Sequence, residues 1–327
     1  MKTSAAYARM LAVVAIGMCS AMASPPVMAG AADSATASGA CSATSRAARL
    51  ACVNEAQDDF WIAMGNCANV PDGDERTQCR SEARAGLAEA GPSCREQYDA
   101  RQDVCAVLGE APYAPDYAPA DFVDPLEVGG AVAPNPYLPL VPGTRYTYRN
   151  HTSGERIVVS VTHETVEIDG VTCIIVHDVV TDLDSGEAIE DTDDYLVQDL
   201  QGNVWYFGEV SREFEDGHLV SLDGSWRAGT DGAKAGILMK AAPQVGEVYR
   251  QEFLLGEAED LARVMNLHGS ATAPHATCEG TCLVTREFTP LEPGVLERKF
   301  YKPGVGQILG VNAETGAREV LTDVTSF

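Results

Sequence analysis

The distribution of apolar and polar residues divides the chain into three regions after its N-terminal segment. Residues 41–108 are rich in Ala, Arg, Glu and Gln and have a helical periodicity. Residues 109–143 are rich in proline, and in residues 144–327 apolar and polar positions alternate with the period of a β-strand. The pattern predicts an α+β protein: an N-terminal helical hairpin, a Pro-rich linker and an antiparallel β domain.

The helical region contains six cysteines with symmetric spacing. They are separated by 11, 15, 12, 15 and 11 residues, and their midpoint is Gly73, within a turn-forming Pro-Asp-Gly-Asp sequence. If antiparallel helices flank this turn, the two cysteines of each nested pair lie at the same distance from it and can face each other. Gly91-Pro92 is expected to break or kink the second helix. The predicted disulfides are Cys41–Cys105, Cys52–Cys94 and Cys67–Cys79.

Three further cysteines lie in the β domain. Cys278 and Cys282 are close enough in sequence to close a small loop, and we predict a disulfide between them. The alternative pairs Cys173 with one of the two. With the first pairing, Cys173 is a buried thiol.

The β domain is predicted to be an antiparallel meander, because its strands follow one another without long helices between them. Such a meander forms a curved sheet or an open barrel. Residues Glu257 to Asn266 are predicted as one short helix. The predicted strands are Arg145 to Arg149, Arg156 to Ile168, Val171 to Asp182, Glu190 to Gln198, Val204 to Glu213, Leu219 to Trp226, Glu247 to Leu254, Cys282 to Phe288, Val295 to Tyr301, Gly306 to Val311 and Arg318 to Val324.

The linker holds eight prolines between Gly109 and Gly143, with Tyr113, Tyr117 and Phe122 between them. Proline lacks an N–H donor and fixes its own φ angle, so this segment is expected to be an extended connector. Its aromatic side chains are expected to pack along the β domain.

Residues 1–29 are typical of a secretory signal. Lys2 and Arg9 precede an apolar run from Met10 to Ala23 that is too short to span a bilayer, and Val27-Met28-Ala29 offers small residues for cleavage. The sequence therefore predicts a secreted or periplasmic protein, with no transmembrane segment in the mature chain. Removal of the signal would change the net charge from −25 to −27. Such a charge argues against a nucleic-acid partner.

Short motifs in the β domain carry a resemblance to a known family. They include GNVWYFGE at residues 202–209, GEAED at residues 256–260 and KFYKPGVG at residues 299–306. On these motifs the chain resembles a family of secreted bacterial proteins of uncharacterised function. The resemblance covers about residues 135–325 and implies a β-rich secreted domain, without implying an activity or a set of binding residues.

One long interval of the β domain is acidic and has no basic residue. Between Arg156 and Arg212 there are 13 Asp and Glu residues and no Lys or Arg. A solvated hairpin end explains this composition. The alternative is a calcium site, because calcium binds six to eight oxygen ligands that loops can supply. Its ligands would be Asp182, Asp184 and Glu187, helped by Glu190 or Asp191.

A second group of residues combines aromatic and acidic side chains. Strand alternation predicts that Trp205, Phe207 and Glu209 share one face and that Tyr206 lies on the other. Aromatic walls with carboxylates can bind sugars or amines or perform acid-base hydrolysis, and core aromatics beside a charged rim explain the same residues. The candidate ligand-binding residues are Trp205, Phe207, Glu209, Trp226, Glu252, Glu257, Glu259 and Asp260.

Signatures of nucleophilic catalysis do not occur in the sequence. It has no G-x-S-x-G, no H-E-x-x-H and no phosphate-binding glycine-rich loop. We therefore predict a binding or interaction protein without a catalytic residue or a cofactor, except possible calcium. Its partner is a small molecule, a glycan or a protein. The alternatives are a secreted hydrolase that uses Glu209 with Glu252 or Glu259, and a calcium-binding extracellular protein.

Overall fold

The structure, a computed structural model, describes residues 39–327, so the predicted signal lies outside the described residues. The described part of the chain begins with an antiparallel hairpin of two helices, α1 (Ala40–Ala68) and α2 (Gly73–Leu108). Asp72 caps α2 by accepting hydrogen bonds from the backbone N–H groups of Asp74 and Glu75. Within residues 39–327, no helix combines the length and the apolar character needed to span a bilayer.

The predicted disulfides are confirmed. The nested pairs Cys41–Cys105, Cys52–Cys94 and Cys67–Cys79 have Cα–Cα distances of 5.6, 5.8 and 5.6 Å. Of the break or kink predicted at Gly91-Pro92, the break is wrong, because α2 continues through Pro92. Disulfides join α2 to α1 on both sides of this proline, which keeps the two halves of α2 on one partner helix. The structure also confirms Cys278–Cys282 and a buried free thiol at Cys173.

Fifteen antiparallel strands follow the linker. Their bounds are β1 (Thr144–Asn150), β2 (Glu155–Ile168), β3 (Val171–Asp182), β4 (Ala188–Gln198), β5 (Val204–Glu215), β6 (His218–Ser221), β7 (Trp226–Arg227), β8 (Lys234–Met239), β9 (Val248–Arg250), β10 (Glu252–Phe253), β11 (Leu261–Thr272), β12 (Thr277–Phe288), β13 (Leu296–Lys302), β14 (Gly306–Asn312) and β15 (Arg318–Ser326).

The sheet curls into a nearly closed barrel. Its strand order is β10-β8-β5-β4-β3-β2-β1-β15-β14-β13-β12-β11-β9, and β6 and β7 pair with β5. β9 pairs with β11 at one edge of the sheet, and β10 pairs with β8 at the other. Because only Gln251 separates β9 from β10, a single segment of chain joins the two edges. The predicted meander is thus confirmed in its barrel form.

The predicted short helix from Glu257 to Asn266 is wrong. β11 begins at Leu261 and pairs with β9 on one side and β12 on the other. Backbone hydrogen bonds to two neighbouring strands outweigh a local helical preference. The sequence interpretation also missed β8, whose Ala, Gly and Ile residues show no polar alternation.

The linker packs against the outer face of the barrel, as its aromatic residues predicted. Tyr117 and Phe122 form edge-to-face contacts with Trp205 and Phe207, with ring centroids 5.2 to 5.9 Å apart. The Tyr113 hydroxyl donates a hydrogen bond of 2.8 Å to the backbone carbonyl of Ala235. Aromatic burial thus fixes a segment that has little regular secondary structure of its own.

One part of the barrel interior is an apolar core. Side chains from strands around the barrel are at most 4% exposed there: Val161, Ile174, Leu196, Leu283 and Leu321. Burial of such side chains is the main stabilising contribution to a domain of this size. The rest of the interior is lined by polar and charged side chains, and it contains the candidate site.

Candidate functional site

Nine carboxyl side chains and one ammonium group line the polar part of the barrel. The ammonium group is that of Lys299 on β13. We call this set of side chains the acidic interior. Its carboxyl groups are those of Asp178, Glu190, Asp194, Glu209, Glu252, Asp260, Glu287, Glu297 and Glu319.

These groups interact across the barrel, not only along the sheet. Asp178 on β3 and Lys299 on β13 are separated in the strand order by β2, β1, β15 and β14. Nevertheless, the charge of Lys299 acts to lower the pKa of Asp178, and Glu319 acts to raise it. Groups that are remote along the sheet can interact in this way only if their side chains point into the same interior. The strand register agrees with this arrangement. Asp178, Thr192 and Ser211 are paired across β3, β4 and β5, so their side chains lie on the same face of the sheet.

Burial raises the pKa values of several of these carboxyls. It raises the pKa of Asp194 to about 6, that of Glu319 to about 7 and that of Glu209 to about 8, whereas Asp260 is an exposed residue. Repulsion from neighbouring carboxylates adds to the effect, as when Asp194 raises the pKa of Glu209. An ionised carboxylate loses hydration inside the barrel, so the neutral form is favoured. The acidic interior is therefore partly protonated near neutral pH.

Lys299 neutralises only part of this charge. Its ammonium nitrogen lies 2.7 Å from a carboxylate oxygen of Glu287 and 3.6 Å from one of Glu297. Within residues 39–327, the other seven carboxyls of the acidic interior form no salt bridge. Their charge is moderated by protonation, by hydrogen bonds and, for Asp178, Asp260 and Glu319, by the more distant charge of Lys299.

Asp178 is the least satisfied of these groups. Its Oδ1 atom is buried and has no hydrogen-bond partner among the described residues. Burial, with added repulsion from Asp194 and Glu319, raises its pKa well above the ordinary value. An oxygen without a donor in a protein interior is costly, so this atom is a natural acceptor for a bound N–H group.

Aromatic side chains complete the walls. The Trp226 indole donates a hydrogen bond of 3.1 Å to Glu252, and the Tyr206 hydroxyl donates one to Asp194. The Trp226 and Tyr206 rings meet edge to face, with centroids 5.3 Å apart. The candidates Glu209, Trp226, Glu252 and Asp260 are therefore brought together by the fold.

The candidates Trp205 and Phe207 lie on the other side of the barrel wall. They were expected to share a face with Glu209, but the register between β4 and β5 shifts between Asp194 and Leu196. The extra residue inverts the alternation of side chains between the two faces of β5 at Gly208. The φ of Gly208 is +142°, a backbone conformation that favours glycine. Tyr206 consequently shares the acidic interior with Glu209, and the two expected aromatics pack under the linker instead.

Glu257 and Glu259 are also separated from the acidic interior. Glu257 is exposed in the turn between β10 and β11. Glu259 is 1% exposed and forms a buried ion pair with Arg101 of α2, with a nitrogen to oxygen distance of 2.6 Å. Its geometry makes it part of the contact between the helical hairpin and the barrel.

The predicted calcium ligands are distributed over different surroundings. The Oδ1 atom of Asp182 accepts hydrogen bonds from the backbone N–H groups of Asp184 and Ser185 within its own turn. Glu190 accepts a hydrogen bond from Ser211 inside the barrel, whereas Asp191 on the opposite face pairs with Arg212. Glu187 is exposed beyond this turn. Among the described residues, no three His, Cys, Asp or Glu side chains are grouped to hold a metal ion.

Sequence reasoning missed several residues of the acidic interior. Asp178 and Asp194 belong to the interval without basic residues, so the charge pattern contained part of the signal. Glu319 and Lys299 carry no comparable signal, because they lie among residues of mixed charge more than 100 positions later in the chain. Only barrel closure brings them opposite Asp178.

Comparisons with known proteins were made at the levels of family, sequence and fold. No family model, no curated protein and no solved structure matches the chain. The resemblance to secreted bacterial proteins of uncharacterised function therefore stays a prediction, and the functional argument rests on the geometry of the acidic interior.

Proposed function

We propose that this protein is a secreted, non-catalytic binding protein whose acidic interior takes an organic cation with several amino groups. The observation that carries the proposal is the excess of carboxyl groups, seven of which form no salt bridge within residues 39–327. The predicted signal sequence supports secretion. The four disulfides agree with it, because such bonds persist in oxidising compartments.

A cation in the acidic interior would relieve two unfavourable conditions together. It would offset the repulsion among ionised carboxylates, and it would supply an N–H donor to Oδ1 of Asp178, the one buried carboxyl oxygen that lacks a donor among the described residues. Hydrogen bonds between an ammonium group and a carboxylate are stronger than those between neutral groups. The raised pKa values of Asp194 and Glu319 mean that such a ligand would also draw these groups into their ionised form.

The distribution of the carboxyls favours a ligand with more than one positive charge. They come from β3, β4, β5, β10, β12, β13 and β15 and from the residue before β11, and they therefore surround the interior. A chain of spaced amino groups can contact several of them at once, and its methylene groups can pack on Trp226 and Tyr206. Aromatic rings also attract ammonium groups through cation–π interactions. Of the predicted partner classes, a small molecule suits an interior enclosed by strands.

Isothermal titration calorimetry with spermine tests the proposal. At pH 8.5, where more of the carboxyls are ionised, spermine should bind more tightly than the diamine putrescine. The double variant Asp178→Asn, Glu209→Gln should weaken spermine binding by about tenfold or more, because it removes two carboxyl groups that a bound cation would hold in their ionised form. Lowering the pH to 5 should weaken binding in the wild type as carboxyls become protonated.

The matched control changes the net charge equally at the surface. Asp184 and Glu314 are exposed in turns, so the variant Asp184→Asn, Glu314→Gln should bind spermine as the wild type does. The absence of spermine binding would refute the proposal. Equal weakening in both double variants would also refute it, since it would show attraction to the net charge alone.

One observation favours a carboxylate-dependent hydrolase as a second candidate. Burial raises the pKa of Glu209 to about 8 and that of neighbouring Glu252 well above its usual range, while Asp194 has a pKa of about 6. Near neutral pH, a protonated acid would therefore lie beside an ionised base, as acid-base hydrolysis requires. Release of 4-nitrophenolate from a panel of 4-nitrophenyl glycosides, lost in Glu209→Gln, would support this candidate. Lack of turnover by the wild type would exclude hydrolysis of these substrates and leave binding as the proposed function.

A further inference from the structure

A cavity lies outside the barrel, between the helical hairpin and the segment that closes the sheet. It has a volume of about 640 Å³, within the range of small-molecule sites. The Cys41–Cys105 disulfide lines it on one side, and residues from β9, β10 and the turn that follows line it on the other. We call it the hairpin cavity. It shares none of its lining residues with the acidic interior.

Two arginines line the hairpin cavity, and each has one buried guanidinium nitrogen that lacks an acceptor. Arg101 is 5% exposed and donates to both carboxylate oxygens of Glu259 through Nε and Nη2, but its buried Nη1 has no acceptor among the described residues. The buried Nη1 of Arg250 likewise has no acceptor there. Unsatisfied guanidinium donors in a protein interior are costly, which makes the pair a natural position for an anion.

The charges around the hairpin cavity favour a single negative group. Arg101 and Arg250 are close enough that the charge of Arg101 acts to lower the pKa of Arg250, in addition to the larger effect of burial. Glu259 offsets one of the two positive charges, and its Oε1 also accepts a hydrogen bond from the backbone N–H of Gly256. The Lys234 ammonium donates to the backbone carbonyl of Tyr113, and Asp231 lies exposed at the edge.

The remaining walls are largely apolar. Leu108 at the end of α2, Pro112 and Tyr113 of the linker, and Phe253, Leu254 and Leu255 at the end of the closing segment line the hairpin cavity. The ring of Phe253 packs on that of Tyr113, with centroids 5.5 Å apart. Such walls suit a hydrocarbon body but offer few partners to a polar one.

From this arrangement we propose that the hairpin cavity binds an apolar carboxylic acid, with its carboxylate at the guanidinium groups of Arg101 and Arg250 and its hydrocarbon part against the leucines. Two guanidinium groups can each donate to one carboxylate oxygen, a geometry that a single ammonium cannot offer. The site is independent of the acidic interior and takes a ligand of opposite charge. The cavity is formed by the hairpin, the linker and the barrel together.

Calorimetry on the full mature chain with decanoate, decanol and decylamine tests this inference. Decanoate should bind best, decanol at least about tenfold more weakly, and decylamine least, because only the carboxylate can accept from both arginines. Arg250→Met keeps side-chain bulk and disrupts no ion pair, although it replaces the cation–π contacts of the guanidinium with Tyr113 and Phe253 by apolar contacts. In this variant, decanoate binding should fall about tenfold or more and decanol binding should be unchanged.

Arg263→Met is the matched control. Arg263 lies on β11, opposite Val248 of the adjacent strand β9, and it lines a different cavity. This variant should bind decanoate as the wild type does, and both variants should keep the wild-type circular dichroism spectrum. Spermine titration of Arg250→Met should be unchanged, which separates this site from the proposed function.

Two results would overturn the inference. If decanoate produces no heat up to its solubility limit, the two guanidinium groups do not bind a carboxylate. If decanoate and decanol bind equally, or if Arg263→Met weakens decanoate as much as Arg250→Met does, the arginines of the hairpin cavity do not select a carboxylate. Should Arg250→Met fail to fold, Leu255→Glu places a repelling carboxylate at the exposed edge of the cavity and should abolish decanoate binding.

Discussion

Replacing Glu319 by glutamine should make the protein more stable at alkaline pH. Burial raises the pKa of Glu319 from 4.5 to about 7 in the folded state. A group with a raised folded pKa contributes stability below its ordinary pKa and loses that contribution as the pH rises through the folded value. At pH 8.5, keeping Glu319 ionised in the barrel costs about 3 kcal/mol, whereas at pH 5 the cost falls to about 1 kcal/mol.

Glutamine keeps the shape of this side chain and removes its titration. Its amide oxygen can still accept the hydrogen bond of 2.7 Å that Gln307 donates to Glu319. The expected result of Glu319→Gln is thus a gain in unfolding free energy of about 3 kcal/mol at pH 8.5, and a gain of about 1 kcal/mol or less at pH 5. This gain is a net effect, because the pKa of about 7 already includes the favourable interaction of Lys299 with the ionised form.

Urea unfolding followed by circular dichroism, at both pH values and with the disulfides intact, measures the effect. Glu314→Gln is the control, because it removes the same charge from an exposed turn and reports the general relief of a net charge of −25. If the two variants gain equal stability at pH 8.5, Glu319 is not destabilised by burial. A gain that is the same at pH 5 and pH 8.5 would equally refute the reasoning.

Three further predictions concern other parts of the molecule. Arg101→Ala should cost about 3 to 5 kcal/mol in urea unfolding, because it leaves its buried carboxylate partner uncompensated. Gly208→Ala should lower the melting temperature more than Gly217→Ala, since a Cβ at position 208 would lie 2.3 Å from a backbone oxygen and one at 217 would meet nothing within 4 Å. Calcium should raise the melting temperature more than magnesium, and Asp182→Asn, Asp184→Asn should abolish the difference if these residues hold calcium. Equal shifts with both ions would refute the calcium site.

The features that could be predicted from the amino-acid sequence are those that depend on the spacing and alternation of residues within one segment of the chain. The symmetric cysteine spacing was sufficient to specify the nested disulfides, because an α-helix has a fixed rise and two antiparallel helices keep a constant distance. Alternation predicted most strands, and proline content predicted the linker. The combination of aromatic and acidic residues also predicted that Glu209, Trp226, Glu252 and Asp260 belong to one candidate binding site.

Tertiary structure alone decided which side of the barrel wall each functional side chain faces. One extra residue near Gly208 inverts the alternation of β5, so Tyr206 enters the acidic interior and Trp205 leaves it. Closure through β9 and β10 brings Lys299 opposite Asp178, although 121 positions separate them in the chain. A register shift and a sheet closure are properties of strand pairing between distant segments, and no local pattern in either segment encodes them.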